Sequence, residues 1–313
     1  MEIGTVVTSI LMMASMILIG SLLARRIPFT AERRQLLIAI IINVAMPCII
    51  LNGVFQTEID AEFLMLVLLI FLGSIIINCL GVLLGWIAAR GMRVAPDKAK
   101  EMALLSGLGN TGFIGIPLCA ALFGPKGALL AAIFDAGLDF TIWTLGVMML
   151  QGEKRVSFRL LKELINIPMI AIFVGMLAAV MHITPPQSVA NLTETLANLA
   201  SPLAMMYIGM LIPSILKKKQ TASLHQLSMP LIIKLLIFPV ATASLLHIFA
   251  LPIEVAQIII VQSTMPTLTL ASILFARYSK DEEYGAMATV FSTLVSITTI
   301  PLMTMFCFYL LAK

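Results

Sequence analysis

GLGNTGFIGIPL, Gly107 to Leu118, lies inside a stretch, Met102 to Gly124, that carries no charged residue. Four glycines, an amide and a proline thus interrupt a segment of membrane length. Each weakens a helix: glycine through the freedom it loses on ordering, proline by removing an N–H and crowding the carbonyl four residues back. A break at membrane depth is tolerated only where the freed backbone groups are buried in protein or line a wet cavity. The fold therefore turns on whether this break stands alone or has a counterpart elsewhere in the chain.

The surrounding sequence identifies the solvent. Of 313 residues, 60% are hydrophobic and only 12% charged, with a mean hydropathy of +1.05, far outside the range of water-soluble domains. A hydrocarbon core needs about 20 apolar residues per helix. Ten such runs can be cut: 4–23, 36–55, 62–89, 102–123, 128–150, 164–182, 192–215, 229–250, 252–277 and 285–311. The alternation of a membrane barrel is absent, which leaves helices as the way to satisfy every backbone group.

Charge predicts the orientation. Apart from Lys126, Lys234 and Lys313, the 20 basic residues fall in alternate connections: Arg25, Arg26, Arg33 and Arg34; Arg90, Arg93, Lys98 and Lys100; Lys154, Arg155, Arg159 and Lys162; Lys217, Lys218 and Lys219; Arg277 and Lys280. The connections between them, such as QTEIDAE at 56–62 and HITPPQ at 182–187, are acidic or neutral. By the positive-inside rule both termini lie outside a multi-pass cell-membrane protein. The net charge of +4 is this topology signal and implies no nucleic-acid partner. No cleavable leader is expected, because MEIG lacks a basic region ahead of the first apolar run.

The break has a counterpart. NVAMP, Asn43 to Pro47, and NLASP, Asn198 to Pro202, share N-x-A-x-P at an offset of 155 residues, with five spans between them. Five is odd, so the second half enters the membrane inverted, as in many secondary transporters. The expected halves are 1–155 and 156–313, and the fourth span then corresponds to the ninth. Both carry a proline, Pro117 in GFIGIPL and Pro266 in QSTMPTLTLA, which release the carbonyls of Phe113 and Gln262. Exposed N–H groups and carbonyls at paired breaks form ligands for an anion and a cation near the bilayer midplane. The alternative is that these glycines and prolines serve only kinking and close helix packing.

At these residues the chain resembles the auxin efflux carrier family. GNTGFIGIPL with ALFG after it, STMPTLTLASILFARY and the terminal VFSTLVSITTIPL carry the resemblance, which extends over essentially the whole chain. It implies an all-α polytopic membrane protein of ten transmembrane helices, arranged as two inverted five-helix repeats with broken, crossing fourth and ninth helices. Bacterial members include malonate and malate carriers, and in plants the substrate is an indole carboxylate bound near the crossing. Carried over, the resemblance implicates Asn110, Thr111, Gly112 and Pro117 on the first broken helix, Gln262, Ser263, Thr264 and Pro266 on the second, and the Asn43–Pro47 region of the second helix. The long hydrophilic middle loop of the longer plant carriers is missing.

Charged groups inside the spans are the remaining candidates. Asp139 and Asp135 share one face of the fifth span at i and i+4. An ionised carboxylate at such depth is costly, which favours a proton or a bound cation. Asp139 is thus a coupling-site candidate, the alternative being a structural carboxylate; Asp135 either joins it or reaches the outer interface. Lys234 is expected to snorkel to the inner interface, with attraction of a carboxylate substrate as the sharper reading.

Several classes are disfavoured. Cys48, Cys79, Cys119 and Cys307 all fall within spans and read as packed thiols, and the three histidines have no metal-site spacing. Neither H-E-x-x-H, nor G-x-S-x-G, nor a phosphate-binding Walker motif occurs. No enzyme, cofactor or metal is expected. The reading is a secondary transporter of a small organic anion, a mono- or dicarboxylate or an auxin-like acid. A passive channel, a ligand sensor or a sodium-coupled carrier of the bile-acid type stand as alternatives. The expected partners are that anion and the lipid bilayer, with a homodimer left open.

Overall fold

A computed structural model describes residues 3–28, 30–151, 165–217, 224–249, 251–279 and 281–311. Among them the secondary structure is helical, apart from one isolated antiparallel bridge. In chain order the helices are α1 (Ile3–Arg26), α2 (Ala31–Ile40), α3 (Met46–Phe55), α4 (Ala61–Gly91), α5 (Pro96–Gly107), α6 (Ile116–Thr141), α7 (Val147–Gln151) and α8 (Ile167–Val180). They continue with α9 (Gln187–Ala197), α10 (Ala200–Lys217), α11 (Leu224–Ile232), α12 (Phe238–Phe249), α13 (Ile253–Ser263), α14 (Ala271–Tyr278) and α15 (Glu282–Leu311).

Each of the ten apolar runs meets helix. Six continuous stretches are long and apolar enough to cross a membrane: Glu32–Phe55, Ala61–Gly91, Thr111–Gln151, Gln187–Pro213, Leu227–Phe249 and Glu282–Leu311. Ile167–Val180 and Ile253–Ser263 are apolar but shorter. The stretch Thr111–Gln151 is one helical trace only nominally. Gly124 takes φ of 70°, a left-handed conformation that glycine adopts without strain, and Pro125 follows it. That kink separates the expected fourth and fifth runs. The basic residues Lys154, Arg155, Arg159, Lys162, Lys218, Lys219, Lys280 and Lys313 lie outside the described residues, as does the expected boundary between the halves at 155–156.

The two N-x-A-x-P copies both mark departures from regular α-helix. Asn43 lies in a π-helical turn, Ile41–Ala45, and Pro47 opens the helix after it. Asn198 lies in the two-residue step between α9 and α10, with Pro202 in the first turn of α10. Proline is accommodated there because its missing N–H has no partner inside the helix anyway.

The chain packs as two compact units, each discontinuous in sequence. The first comprises the described residues of Met1–Leu68, Gly112–Ile133 and Ile165–Lys219. Within it α1 packs along α10, and α3 packs on α8 and α9. The α1–α10 contact is a backbone approach: a Cβ on Gly209 would lie 1.9 Å from the Ile17 carbonyl oxygen, and one on Gly20 would lie 2.1 Å from that of Met206. In lipid, where apolar side chains gain little by leaving one apolar medium for another, such small-residue contacts hold helices together. Gly209→Ala and Gly20→Ala are each expected to lower stability by about 2–3 kcal/mol through overpacking, read as a fall in the melting temperature of detergent-solubilised protein.

The second unit comprises the described residues of Leu69–Thr111, Phe134–Leu164 and Gln220–Lys313. At one end Lys98 ties the first turn of α5 to the start of α15. Its ammonium lies 2.9 Å from Glu101, 2.6 Å from Asp281 and 3.1 Å from the ring centroid of Tyr284. Further along, α5 and α13 both stop inside this unit after only 12 and 11 residues. Their ends create the candidate site.

Candidate functional site

α5 ends at Gly107, where the chain passes against α4 at backbone distance. A Cβ on Gly107 would come 2.2 Å from the Val82 nitrogen. Leu108 to Asn110 then run outside the helix, and a π-helical turn, Thr111–Gly115, leads into α6. The matching interruption lies between α13 and α14, at 264–270. The two interruptions meet antiparallel. The Asn110 N–H donates to the Pro266 carbonyl at 2.8 Å, the Leu268 N–H to the Leu108 carbonyl at 3.2 Å, and Gly109 faces Thr267. Thr267 adds its hydroxyl to the Leu105 carbonyl at 2.9 Å and takes the Ser292 hydroxyl oxygen on its own N–H at 3.1 Å.

This corrects the expected site in two respects. The first break is at Leu108–Asn110, upstream of Pro117, which lies within the continuous helical stretch from Thr111, two residues after its π-helical turn. The freed backbone groups are also in part already paired with one another, so fewer are left for a ligand than the sequence implies. Pro266 lies within its break as expected, and it contributes a carbonyl.

The other predicted residues divide between the units. Asn110, Thr111, Gln262, Ser263 and Thr264 are buried in the second unit. The hydroxyls of Ser263 and Thr264 turn back onto the carbonyls of Ile260 and Val261, at 2.7 Å each, and so close the end of α13. Thr111 donates to the Asp135 carboxylate at 2.5 Å, which brings the fifth-run acid onto the broken segment. Asp139 follows one turn later on the same helix. The sequence ranks Asp139 ahead of Asp135; the contact with the break belongs to Asp135. Gly112, Pro117 and Asn43 belong to the first unit, where Pro117 is buried and Asn43 exposed.

Lys234 overturns its expected position. It does not snorkel: it is 1% exposed, held by a π-helical turn at Ile233–Ile237. Its ammonium approaches the Gly107 carbonyl at 3.4 Å and the Ser263 carbonyl at 3.5 Å, the last residues of α5 and α13. Both are negative ends of helix dipoles, which a cation stabilises. The Phe238 ring centroid is 4.4 Å away, and no carboxylate lies within 4 Å of Lys234 among the described residues. The absent side chain of Gly109 makes the space, since a Cβ there would lie 3.1 Å from the ammonium.

Two polar groups escaped the sequence reading. Ser74 and Asn78 lie fully buried on α4; Ser74 donates to the Phe134 carbonyl at 2.6 Å, and the Asn78 amide to the Ser74 carbonyl at 2.8 Å. Their spacing of four in a 31-residue apolar helix was the available signal. On α15 a ladder of hydroxyls, Thr289, Ser292 and Thr304, faces the second break, and the run STLVSITT encodes part of it.

The chain is similar in sequence to membrane transport proteins. Residues 5–304 match the family model described as membrane transport protein. An uncharacterized transporter of Methanothermobacter thermautotrophicus is 22% identical over 299 residues, 94% of this chain and 96% of that protein. An uncharacterized transporter of Methanocaldococcus jannaschii is 25% identical over 281 residues, 87% and 89% of the two chains.

Proposed function

The chain belongs to the membrane transport protein family, of the auxin efflux carrier type, and from that premise we propose that this multi-pass transporter carries a small organic anion by alternating access. The observation that carries the reading is Lys234, a fully buried ammonium without a carboxylate partner among the described residues, placed where two broken helices end. A carboxylate substrate supplies the missing counter-charge. Asn110 and Gln262, buried in the same unit, orient the substrate by hydrogen bonding.

The inverted-repeat arrangement of ten spans is part of this proposal. An exchange of first with sixth and second with seventh helix turns the α1–α10 packing into that of α8 with α3, and both packings occur. The basic connections then place both termini outside. Movement of one bundle against the other would expose the site to each side in turn.

In proteoliposomes containing the purified protein, labelled malonate or another small carboxylate is expected to exchange faster when unlabelled substrate is present on the opposite side. A channel would show flux without this trans-stimulation, and a sensor would show binding without flux; either outcome replaces the reading. The Asp135–Asp139 pair is the proposed coupling site for a cation, a proton or a sodium ion. Asp135→Asn retains an acceptor for Thr111 but removes the charge. Accumulation driven by a pH or sodium gradient is expected to fall at least about tenfold, equivalent to about 1.4 kcal/mol of lost coupling, with exchange between equal concentrations retained. Asp139→Asn should act in the same direction. Undiminished accumulation in both variants would make the pair structural.

A further inference from the structure

Two arginine doublets, in RRIPFTAERR from Arg25 to Arg34, flank the connection between α1 and α2. All four side chains are exposed, and among the described residues none makes an ion pair, not even with the neighbouring Glu32. The lysines of the next basic connection differ: Lys98 is paired with Glu101 and Asp281, and Lys100 with Asp97. The counter-charge for the four arginines is thus left to something outside the chain.

Two of the guanidiniums are nevertheless fixed in place. Arg33 donates through Nη1 to the Pro28 carbonyl at 2.6 Å, and Arg34 donates through Nε to the Tyr207 hydroxyl at 2.8 Å. Tyr207 is itself immobilised on α10: it is 4% exposed and meets the Phe113 ring edge-on, with centroids 4.9 Å apart. Using Nε as the tether leaves Arg34 both terminal nitrogens, the fork that grips two oxygens of one anion. Because the tether already orders this long side chain, less freedom is lost when an anion binds.

The depth of the fork narrows the ligand. α1 and α10 run antiparallel, with Ile17 against Gly209 and Gly20 against Met206. Tyr207 therefore lies near the level of Gly20, about 4.5 Å along α1 from Leu23, where the apolar run ends. That level is the boundary between hydrocarbon and headgroups. We propose that Arg34, in the field of Arg25, Arg26 and Arg33, binds the phosphate of an anionic phospholipid in the leaflet that faces the α1–α2 connection. Arginine suits phosphate by geometry as well as charge. A choline headgroup is disfavoured, because its ammonium would enter the same positive field. The proposal rests on the membrane embedding of the chain and on no property of its substrate.

The test is native mass spectrometry of the full-length protein in detergent, titrated with phosphatidylglycerol, phosphatidylcholine and, as a free headgroup, glycerol 3-phosphate. The parent is expected to prefer phosphatidylglycerol to phosphatidylcholine by about tenfold and to keep it in excess glycerol 3-phosphate. Arg34→Gln should weaken phosphatidylglycerol binding about tenfold. The double change Arg90→Gln with Arg93→Gln removes two exposed charges that no described residue tethers, and should weaken it less than about twofold. Tyr207→Phe keeps every charge and deletes only the acceptor that orients Arg34, so a loss of about threefold is expected, which charge alone would not produce. If Arg34→Gln does not purify in folded form, Tyr207→Phe decides. Unchanged binding in Tyr207→Phe and Arg34→Gln, or an equal loss in the Arg90 and Arg93 variant, overturns the site. Equal retention of phosphatidylcholine overturns the anionic class, and displacement by glycerol 3-phosphate overturns the lipid in favour of a soluble anion. Transport is not read in any arm, so failure here leaves the proposed transport function untouched.

Discussion

Lys234→Met will abolish transport while leaving the protein folded. Methionine fills nearly the same volume, and the ammonium it replaces bears a heavy desolvation cost that the substitution removes. What is lost is charge-assisted contact with the Gly107 and Ser263 carbonyls and compensation of two helix ends, of order 1.5–3 kcal/mol in the opposite sense. These effects nearly cancel in stability, so the melting temperature should move by only a few degrees. They do not cancel for an anionic substrate, which faces two carbonyl-bearing helix ends once the cation is gone. Exchange in proteoliposomes should fall about 100-fold, equivalent to about 2.7 kcal/mol. Arginine will not restore it, because even a Cβ on Gly109 would lie only 3.1 Å from the existing ammonium and a guanidinium is broader. Parental exchange by the methionine variant would remove Lys234 from the site.

Gly107→Ala will strongly impair folding. Its Cβ would stand 2.2 Å from the Val82 nitrogen and 2.6 Å from the Gly81 carbonyl carbon, both backbone atoms that cannot turn aside. To admit it, α4 must move away from α5, and the pairing of Leu108–Asn110 with Pro266–Leu268 moves with it. A loss of about 3 kcal/mol or more follows, at the upper end of overpacking effects. It would appear as poor yield of monodisperse protein and a melting temperature lowered by many degrees. Gly91→Ala, where a Cβ meets nothing within 4 Å, is the control and should be silent.

Sequence and structure agree most closely where local chemistry decides the outcome. The positions of the apolar runs and an interruption in each of the two runs that carry Pro117 and Pro266 follow from hydropathy and from the residues themselves. The location of the first interruption does not. Pro117 is the loudest local signal, but the helix stops ten residues earlier, where Gly107 meets α4 and the chain goes on to pair with Pro266–Leu268, contacts between residues that no local pattern links. Lys234 is misread for a similar reason. Its depth along an isolated helix permits snorkelling, whereas the packed chain offers it the ends of two other helices. Ser263 and Thr264 look like ligand groups in the sequence, but their own helix end takes their hydroxyls. Asp135 gains its importance only when Thr111 is brought to it.

The antiparallel pairing of the two breaks also bears on how the chain is made. When the ribosome has delivered the segment around Leu108–Asn110, the groups that will satisfy the Leu108 carbonyl and the Asn110 N–H lie on residues about 160 positions away, still untranslated. Until they arrive, an unpaired carbonyl and N–H must be shielded by water, lipid headgroups or insertion machinery, because the hydrocarbon offers no partner. The first half is therefore an obligate intermediate that cannot reach its final form by itself, and its quality control rests on the second half being completed. Two half-length fragments expressed together should protect each other from degradation, and either expressed alone should be short-lived.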